Sequence, residues 1–197
     1  MRDQTIAIKI FLSLLEKCGD LQALSPSETI KSLWNCYEKE FPSNNNVNGK
    51  VFEEIIGYIL AREGCIPFYM QAQVAYVPNV NYDFILYDNE FGPIALSAKT
   101  SLRERWKQAD LEAVALKYVH RNASSYAITL HEREAATRVS KLKDSMAIND
   151  FILATSSKFD ALINEMKKRK FELAGTIQIV TSNTIIDKVA SKTRYGL

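Results

Sequence analysis

Ile6, Ile10, Phe11, Leu14 and Leu15 recur at three- and four-residue intervals near the start of the chain, the period of one helix face. A second helix is announced by S25-P-S-E28, which places a serine cap, a proline in the first helical position and a glutamate three residues after the cap. The asparagine-rich stretch S43-N-N-N-V-N-G49 reads as a short loop or hinge. Beyond it, Val51, Ile55, Ile59 and Leu60 mark the apolar side of a third helix from Lys50 to Arg62, stopped by Gly64. The period then changes. Phe68 to Val77, Tyr82 to Tyr87 and Pro93 to Lys99 are β-type runs, and the turn residues Pro78-Asn79 and Asp88 to Gly92 between them predict antiparallel hairpins.

Helical spacing returns from Leu102 to about Tyr118, with Leu102, Trp106, Ala109, Ala113 and Leu116 as a core stripe. The tail alternates: strand (Ser125 to Leu130), helix (about Glu132 to Leu142), strand (Phe151 to Ala154), helix (Lys158 to Lys168), strand (Thr176 to Val180). Hairpins followed by α/β alternation predict an α/β fold with a central mixed β-sheet flanked by helices. A chain of 197 residues at 47% apolar content suffices for one well-buried domain and leaves little for a second. Residues 1–197 are therefore read as one unit, with a helical region over 1–45 and a core over 49–182.

A net charge of +2 carries no basic signature, although short basic clusters run from Arg103 to Lys107, Lys117 to Arg121 and Lys167 to Lys170. Bulk charge leaves nucleic-acid binding open. Cys18, Cys36 and Cys65 are widely spaced, with no C-x-x-C and no Cys/His set for zinc, and read as reduced, buried thiols of a cytoplasmic protein. The run Ile6 to Leu15 is broken by Lys9, and no run of 18 apolar residues occurs, so neither secretion nor membrane insertion is expected. Trp106 reads as core, and Tyr76, Tyr82 and Tyr87 read as packing residues of strands. Lys167 to Lys170 read as a solvated helix end.

The chemistry concentrates between Tyr82 and Glu112. Y82-D-F-I-L-Y-D88 and S97-A-K99 bring Asp83 and Lys99 to one end of a sheet, and the next helix adds Glu112. Hydrolysing a phosphodiester calls for a hard cation, and carboxylate oxygens suit magnesium. Asp83 and Glu112 are the candidate metal ligands, with Glu53 as a further acid from the helix upstream. Lys99 would orient water or stabilise the developing charge. An isolated Asp and Lys pair is common; the surrounding frame of helix acid, strand acid, strand lysine and polar helix gives it weight.

The segment A98-K-T-S-L-R-E-R-W-K-Q108 resembles the catalytic segment of the EcoRII, NgoMIV and PspGI group of type II restriction endonucleases, within the PD-(D/E)XK nuclease superfamily. In that group the second acid is displaced onto the following helix. Glu112, thirteen positions beyond Lys99, matches it, and Ser97 stands where the common motif has glutamate. G49-K-V-F-E53 resembles the helix that supplies another acid, which selects Glu53 over Glu54. Asp83 replaces the tyrosine of EcoRII and restores the usual superfamily acid. No counterpart of the large effector domain of EcoRII is expected.

The resemblance covers roughly residues 49 to 120. It implies a PD-(D/E)XK restriction-endonuclease-like fold and magnesium-dependent, site-specific cleavage of double-stranded DNA at a short palindrome containing a CC:GG element. It also implies a homodimer and a companion DNA methyltransferase. Arg103, Glu104 and Arg105 fall where the group reads C:G pairs, and the chemistry agrees: arginine pairs bidentately with guanine and a carboxylate accepts from cytosine N4. S101-L-R-E104 also fits a capping box, which leaves Glu104 two roles. Positive charge in the first turn of a helix opposes its dipole, so Arg103 and Arg105 are poor choices for stability. The competing readings are a repair or recombination nuclease of the same fold and a catalytically inactive DNA-binding protein.

Overall fold

Helix α3 (Asn45–Arg62) is buried at every position from Val51 to Ala61, Glu53 and Glu54 included. The computed structural model describes residues 2–42, 44–77, 79–103, 105–174 and 180–197. Helices α1 (Arg2–Lys17) and α2 (Pro26–Glu40) pack on α3. The expectation of a single apolar side on α3 is therefore corrected: other elements surround it, and its acids lie in the interior. The helix also starts earlier than expected. Asn44 accepts the N–H groups of Asn46 (3.1 Å) and Val47 (3.4 Å), so the asparagine-rich stretch caps and enters the helix. Asn48, one turn in, accepts the Tyr37 hydroxyl of α2 at 2.7 Å.

Other local signals are realised as read. Ser25 accepts the Glu28 N–H while the Glu28 carboxylate accepts the Ser25 N–H, closing the capping box of α2. At the end of α3, Gly64 takes φ +78°, and the N–H groups of Gly64 and Cys65 return to the carbonyls of Ala61 and Leu60. That is a Schellman motif, and glycine is there because the position needs positive φ.

Strands β1 (Phe68–Val74), β2 (Tyr82–Asp88) and β3 (Gly92–Lys99) form the expected antiparallel meander. Helix α4 (Arg105–Val119) then crosses to β4 (Ser124–Thr129), parallel to β3. Helix α5 (Glu132–Ser140) leads to β5 (Asp150–Leu153), parallel to β4, and α6 (Ser157–Met166) follows. The six-stranded mixed sheet has the order β5-β4-β3-β2-β1-β6. Alternation along the strands serves two faces: Phe84, Leu86 and Leu96 join the cluster of Phe52, Ile55 and Ile59 from α3, while Ile85 and Ala95 join Leu116 of α4.

The C-terminal end departs from expectation. The strand expected from Thr176 to Val180 lies outside the described residues except at Val180, where β6 (Val180–Ile186) begins and pairs antiparallel with β1. Helix α7 (Lys188–Tyr195) was not foreseen. T181-S-N-T184 lacks an apolar pattern because β6 is a sheet edge, and α7 is too short to show a period. Tyr195 is nonetheless buried, and a Cβ on Gly57 would come within 2.6 Å of its hydroxyl, so Gly57 is the gap into which α7 docks.

Three smaller readings are also corrected. Only Cys65 is buried; Cys18 and Cys36 are half-buried, and all three are free thiols. Tyr76 sits in the hairpin turn after β1 and is exposed, not packed in a strand. Trp106 is half-buried, with the Arg138 guanidinium 4.2 Å over its ring. Among the described residues no helix is long and apolar enough to cross a membrane.

Candidate active site

Asp83 and Lys99 meet because β2 and β3 are antiparallel neighbours, with Phe84 opposite Leu96. The start of one strand and the end of the other therefore share one edge. The Asp83 carboxylate accepts the Ala98 N–H at 2.8 Å and the Lys99 ammonium at 2.7 Å, both on Oδ2. Both residues are largely enclosed, so this is a charge-assisted contact shielded from water. Burial works most strongly against the Lys99 charge, but Asp83, with smaller contributions from Glu112 and Glu53, holds the ammonium above its usual range.

Glu53 enters from α3. Its carboxylate accepts Lys50 on both oxygens at 2.9 Å and the Gln71 amide of β1 at 2.8 Å. The same Gln71 nitrogen reaches Asp83 Oδ1 at 3.4 Å, while Gln71 Oε1 accepts Asn81 Nδ2 at 2.8 Å. One amide thus joins two carboxylates that are 7% and 8% exposed. Burial, and after it the charge on Asp83, pushes the Glu53 carboxyl up to about 7. Glu54 turns elsewhere, to the Arg194 guanidinium of α7 at 2.6 and 3.0 Å.

Glu112 approaches from α4 on the other face. Its side chain accepts Gln108 at 2.8 Å, and the Tyr82 hydroxyl of β2 donates to its backbone carbonyl at 3.0 Å. Burial raises its carboxyl, opposed by the Lys99 charge and the Gln108 hydrogen bond, while Asp83 adds a smaller upward push. Glu112 therefore stands within the electrostatic reach of Asp83 and Lys99, although its hydrogen bonds go elsewhere.

The stretch between Lys99 and α4 is held by Glu134 of α5. That carboxylate accepts the Ser101 hydroxyl at 2.9 Å and the N–H groups of Leu102 and Arg103 at 2.6 and 3.3 Å. Arg103 is 83% exposed at its side chain, 3.7 Å from Glu134, and Arg105 is exposed at the first residue of α4. Glu104 lies outside the described residues. Ser101 spends its hydroxyl proton on Glu134, a partner no local pattern around Ser101 could have named.

Sequence reasoning missed Lys50, Gln71, Tyr82 and Glu134 as participants. The first was accessible, since Lys50 and Glu53 are three apart on a helix and so share a face. Gln71 was accessible too: the register pairing Met70 with Phe84 and Ala72 with Tyr82 puts it opposite Asp83. The basic run at Lys167 is structural, as Lys167 pairs with Glu63 and Lys168 with Glu165.

The donors suit a hard divalent cation: three carboxylates, and in addition the Ser97 hydroxyl, which is buried without a hydrogen-bond partner on the Lys99 side of β3. Among the described residues no three His, Cys, Asp or Glu side chains converge as they stand. Asp83 is drawn to Lys99, Glu53 to Lys50 and Gln71, and Glu112 to Gln108.

No protein-family model matches the sequence, and no curated protein matches it. The structure does match a solved one. It superposes on the restriction endonuclease PspGI, solved as a complex with substrate DNA, with a TM-score of 0.52 over 97% of this chain and 86% of that chain. At 15% identity the likeness speaks for architecture. The chain has the α/β restriction-endonuclease fold of PspGI, a member of the group that its Lys99 to Glu112 segment resembles.

Proposed function

We propose that this protein is a type II restriction endonuclease that cleaves double-stranded DNA at a short palindrome containing a CC:GG element. The observation that carries the reading is the Asp83 and Lys99 pair at one sheet edge, with buried Glu53 tied to Asp83 through Gln71. A buried excess of acid beside a lysine is costly for a fold, and such sites are where function is found. The shared fold with a DNA-bound endonuclease supports the same conclusion.

In this reading Asp83 and Glu112 hold magnesium, with Glu53 as a third oxygen donor. When bound, the ion supplies charge neutralisation and activation of water. Lys99 at the same edge would serve a phosphate oxygen, its ammonium offsetting negative charge as water adds to phosphorus and the opposite ester oxygen leaves. Arg103, just before α4, and Arg105, its first residue, are exposed and are assigned as readers of guanine, and Glu104 is assigned to cytosine. A two-fold homodimer would present two such edges to a palindrome, one for each strand. A companion methyltransferase would protect the same site in the host.

Incubating the protein with plasmid and magnesium tests this directly. Discrete fragments whose ends share a CC:GG element are expected. Random nicks would assign the protein to repair or recombination, and retarded but uncut DNA would make it a binding protein; either result overturns the restriction reading.

A further inference from the structure

Among the described residues, three non-glycine residues have positive φ. Tyr76 and Asn79 lie between β1 and β2, where turns commonly need it; Gln71, at φ +51°, lies inside β1. The left-handed region is costly for such a residue, and strain of this kind is a pointer to function when the surroundings sustain it. No inserted residue explains it. Met70 and Ala72 keep their partners Phe84 and Tyr82 on β2, and Thr184 and Ser182 on β6, so the register is the same before and after Gln71 on both sides. The Ser182 hydroxyl donates to the Met70 carbonyl at 2.6 Å and satisfies the backbone next to the distorted residue.

The distortion accompanies a particular placement of the side chain. Gln71 Nε2 donates to Glu53 at 2.8 Å and to Asp83 at 3.4 Å, and Oε1 accepts from Asn81 at 2.8 Å. The reversed amide would set its oxygen against two carboxylates and its NH2 against another NH2, so the network determines the orientation. Lys50 and Lys99 meanwhile hold Glu53 and Asp83 separately, one lysine to each acid. A neutral amide ties the two acids together without adding a further positive charge between them.

We propose that Gln71 is a positioning residue of the metal site, whose amide keeps Glu53 and Asp83 side by side and ready to receive a divalent cation. The proposal rests on the nuclease reading of this edge. Asn81 acts one step further out by fixing the direction of the amide.

Gln71→Gly is the informative variant, because glycine adopts φ +51° freely, so the side chain and its amide are lost without added backbone strain. The probe is Mn2+ alone, titrated calorimetrically into the full chain without DNA. The dissociation constant is expected to rise by about tenfold or more, the usual consequence of removing a group that orients metal ligands. The melting temperature of the metal-free protein should stay close to that of the parent. In cleavage assays the Mn2+ concentration for half-maximal rate should rise by a similar factor, while the rate at saturating Mn2+ falls less. A residue that merely supported the strand would lower stability without moving that midpoint. Gln71→Asn, which also tolerates positive φ but has a shorter reach, repeats the test if glycine loosens β1. Unchanged Mn2+ affinity in Gln71→Gly, with Asp83→Asn abolishing binding, overturns the positioning role and spares the metal site. A parent protein that binds no Mn2+ overturns both.

Discussion

Glu53 and Glu54 are adjacent on α3 and buried to similar degrees, yet they occupy opposite kinds of site. Glu54 has a guanidinium of its own: Arg194 grips it with two hydrogen bonds, and α7 is fastened to the core by that grip. Glu53 also has a cation, the more exposed Lys50 at 2.9 Å, but it shares its surroundings with Asp83, and the strongest influence on it after burial is the neighbour's negative charge. The first arrangement is a closed pair that serves the fold. The second sets two carboxylates side by side in the interior, an arrangement of the kind found at functional sites. One residue of offset on a helix, about 100° of rotation, separates the pair with Arg194 from the cluster around Asp83.

The comparison breaks most visibly in activity. Asp83→Asn keeps an oxygen acceptor for Ala98 and removes the charge; Lys99→Met keeps the aliphatic stem and removes the ammonium. Each is expected to reduce plasmid cleavage by about a hundredfold to a thousandfold or more, on the scale of losing one electrostatic stabiliser. Circular dichroism should show an intact fold. Either variant cutting at the parent rate would remove the edge of β2 and β3 from the mechanism.

The Glu54 side should respond in the opposite sense. Arg194→Ala leaves a carboxylate that is 2% exposed without its cation, and breaking a buried pair in this way costs about 3–5 kcal/mol. Urea unfolding should show that loss, while the folded fraction cleaves DNA at the parent rate. Parent-like stability would mean that Glu54 is protonated or finds another donor, and the contrast between the two glutamates would weaken.

A third measurement uses pH. The Glu53 carboxyl is pushed up to about 7, first by burial and then by Asp83, whereas a glutamate in an unfolded chain ionises near 4.3. Between those values the folded protein retains a proton that the unfolded chain has lost. The folded state binds more protons, so this group makes stability fall as pH rises through that window, by at most about 1.4 kcal/mol per pH unit. Glu53→Gln preserves the shape and should flatten that slope in melts without metal between pH 5 and 7. An identical slope in parent and variant would show that Glu53 is already ionised there.

Much of this architecture was legible because its signals are local. The capping box at Ser25, the glycine stop at Gly64 and the turn between β2 and β3 each act within a few residues, and each appears where it was read, whereas the turn before β2 starts earlier, after Val74. Asp83 and Lys99 were legible for a related reason, since two hairpin strands bring nearby positions to one edge. What escaped depends on contacts distant in sequence. Glu134 supports Leu102 from 32 residues away, and α7 is held by a gap at Gly57 and a charge at Glu54, neither of which marks the sequence around Tyr195. The start of α3 was misplaced for a third reason: asparagine favours loops and helix caps alike, and only the geometry at Asn44 distinguishes them.

Arg105 sharpens the comparison from its exposed side. Unlike Lys99 it has no buried acid to satisfy, and it places positive charge at the beginning of α4, where the helix dipole disfavours it. Removing it should therefore leave the melting temperature unchanged or slightly raised, unlike the removal of Arg194 from its buried pair with Glu54. If Arg105 reads guanine, Arg105→Ala weakens binding to the cognate duplex by about 1–3 kcal/mol, the value of one bidentate base contact. A phosphate contact would weaken cognate and substituted duplexes alike. Fluorescence anisotropy with calcium in place of magnesium separates the two, because the duplex binds without being cut. The base-reading assignment requires the loss to be concentrated on the cognate duplex and to shrink when one C:G pair is replaced. A uniform loss would make Arg105 an anchor on the backbone and leave the reading of sequence to Arg103 and Glu104.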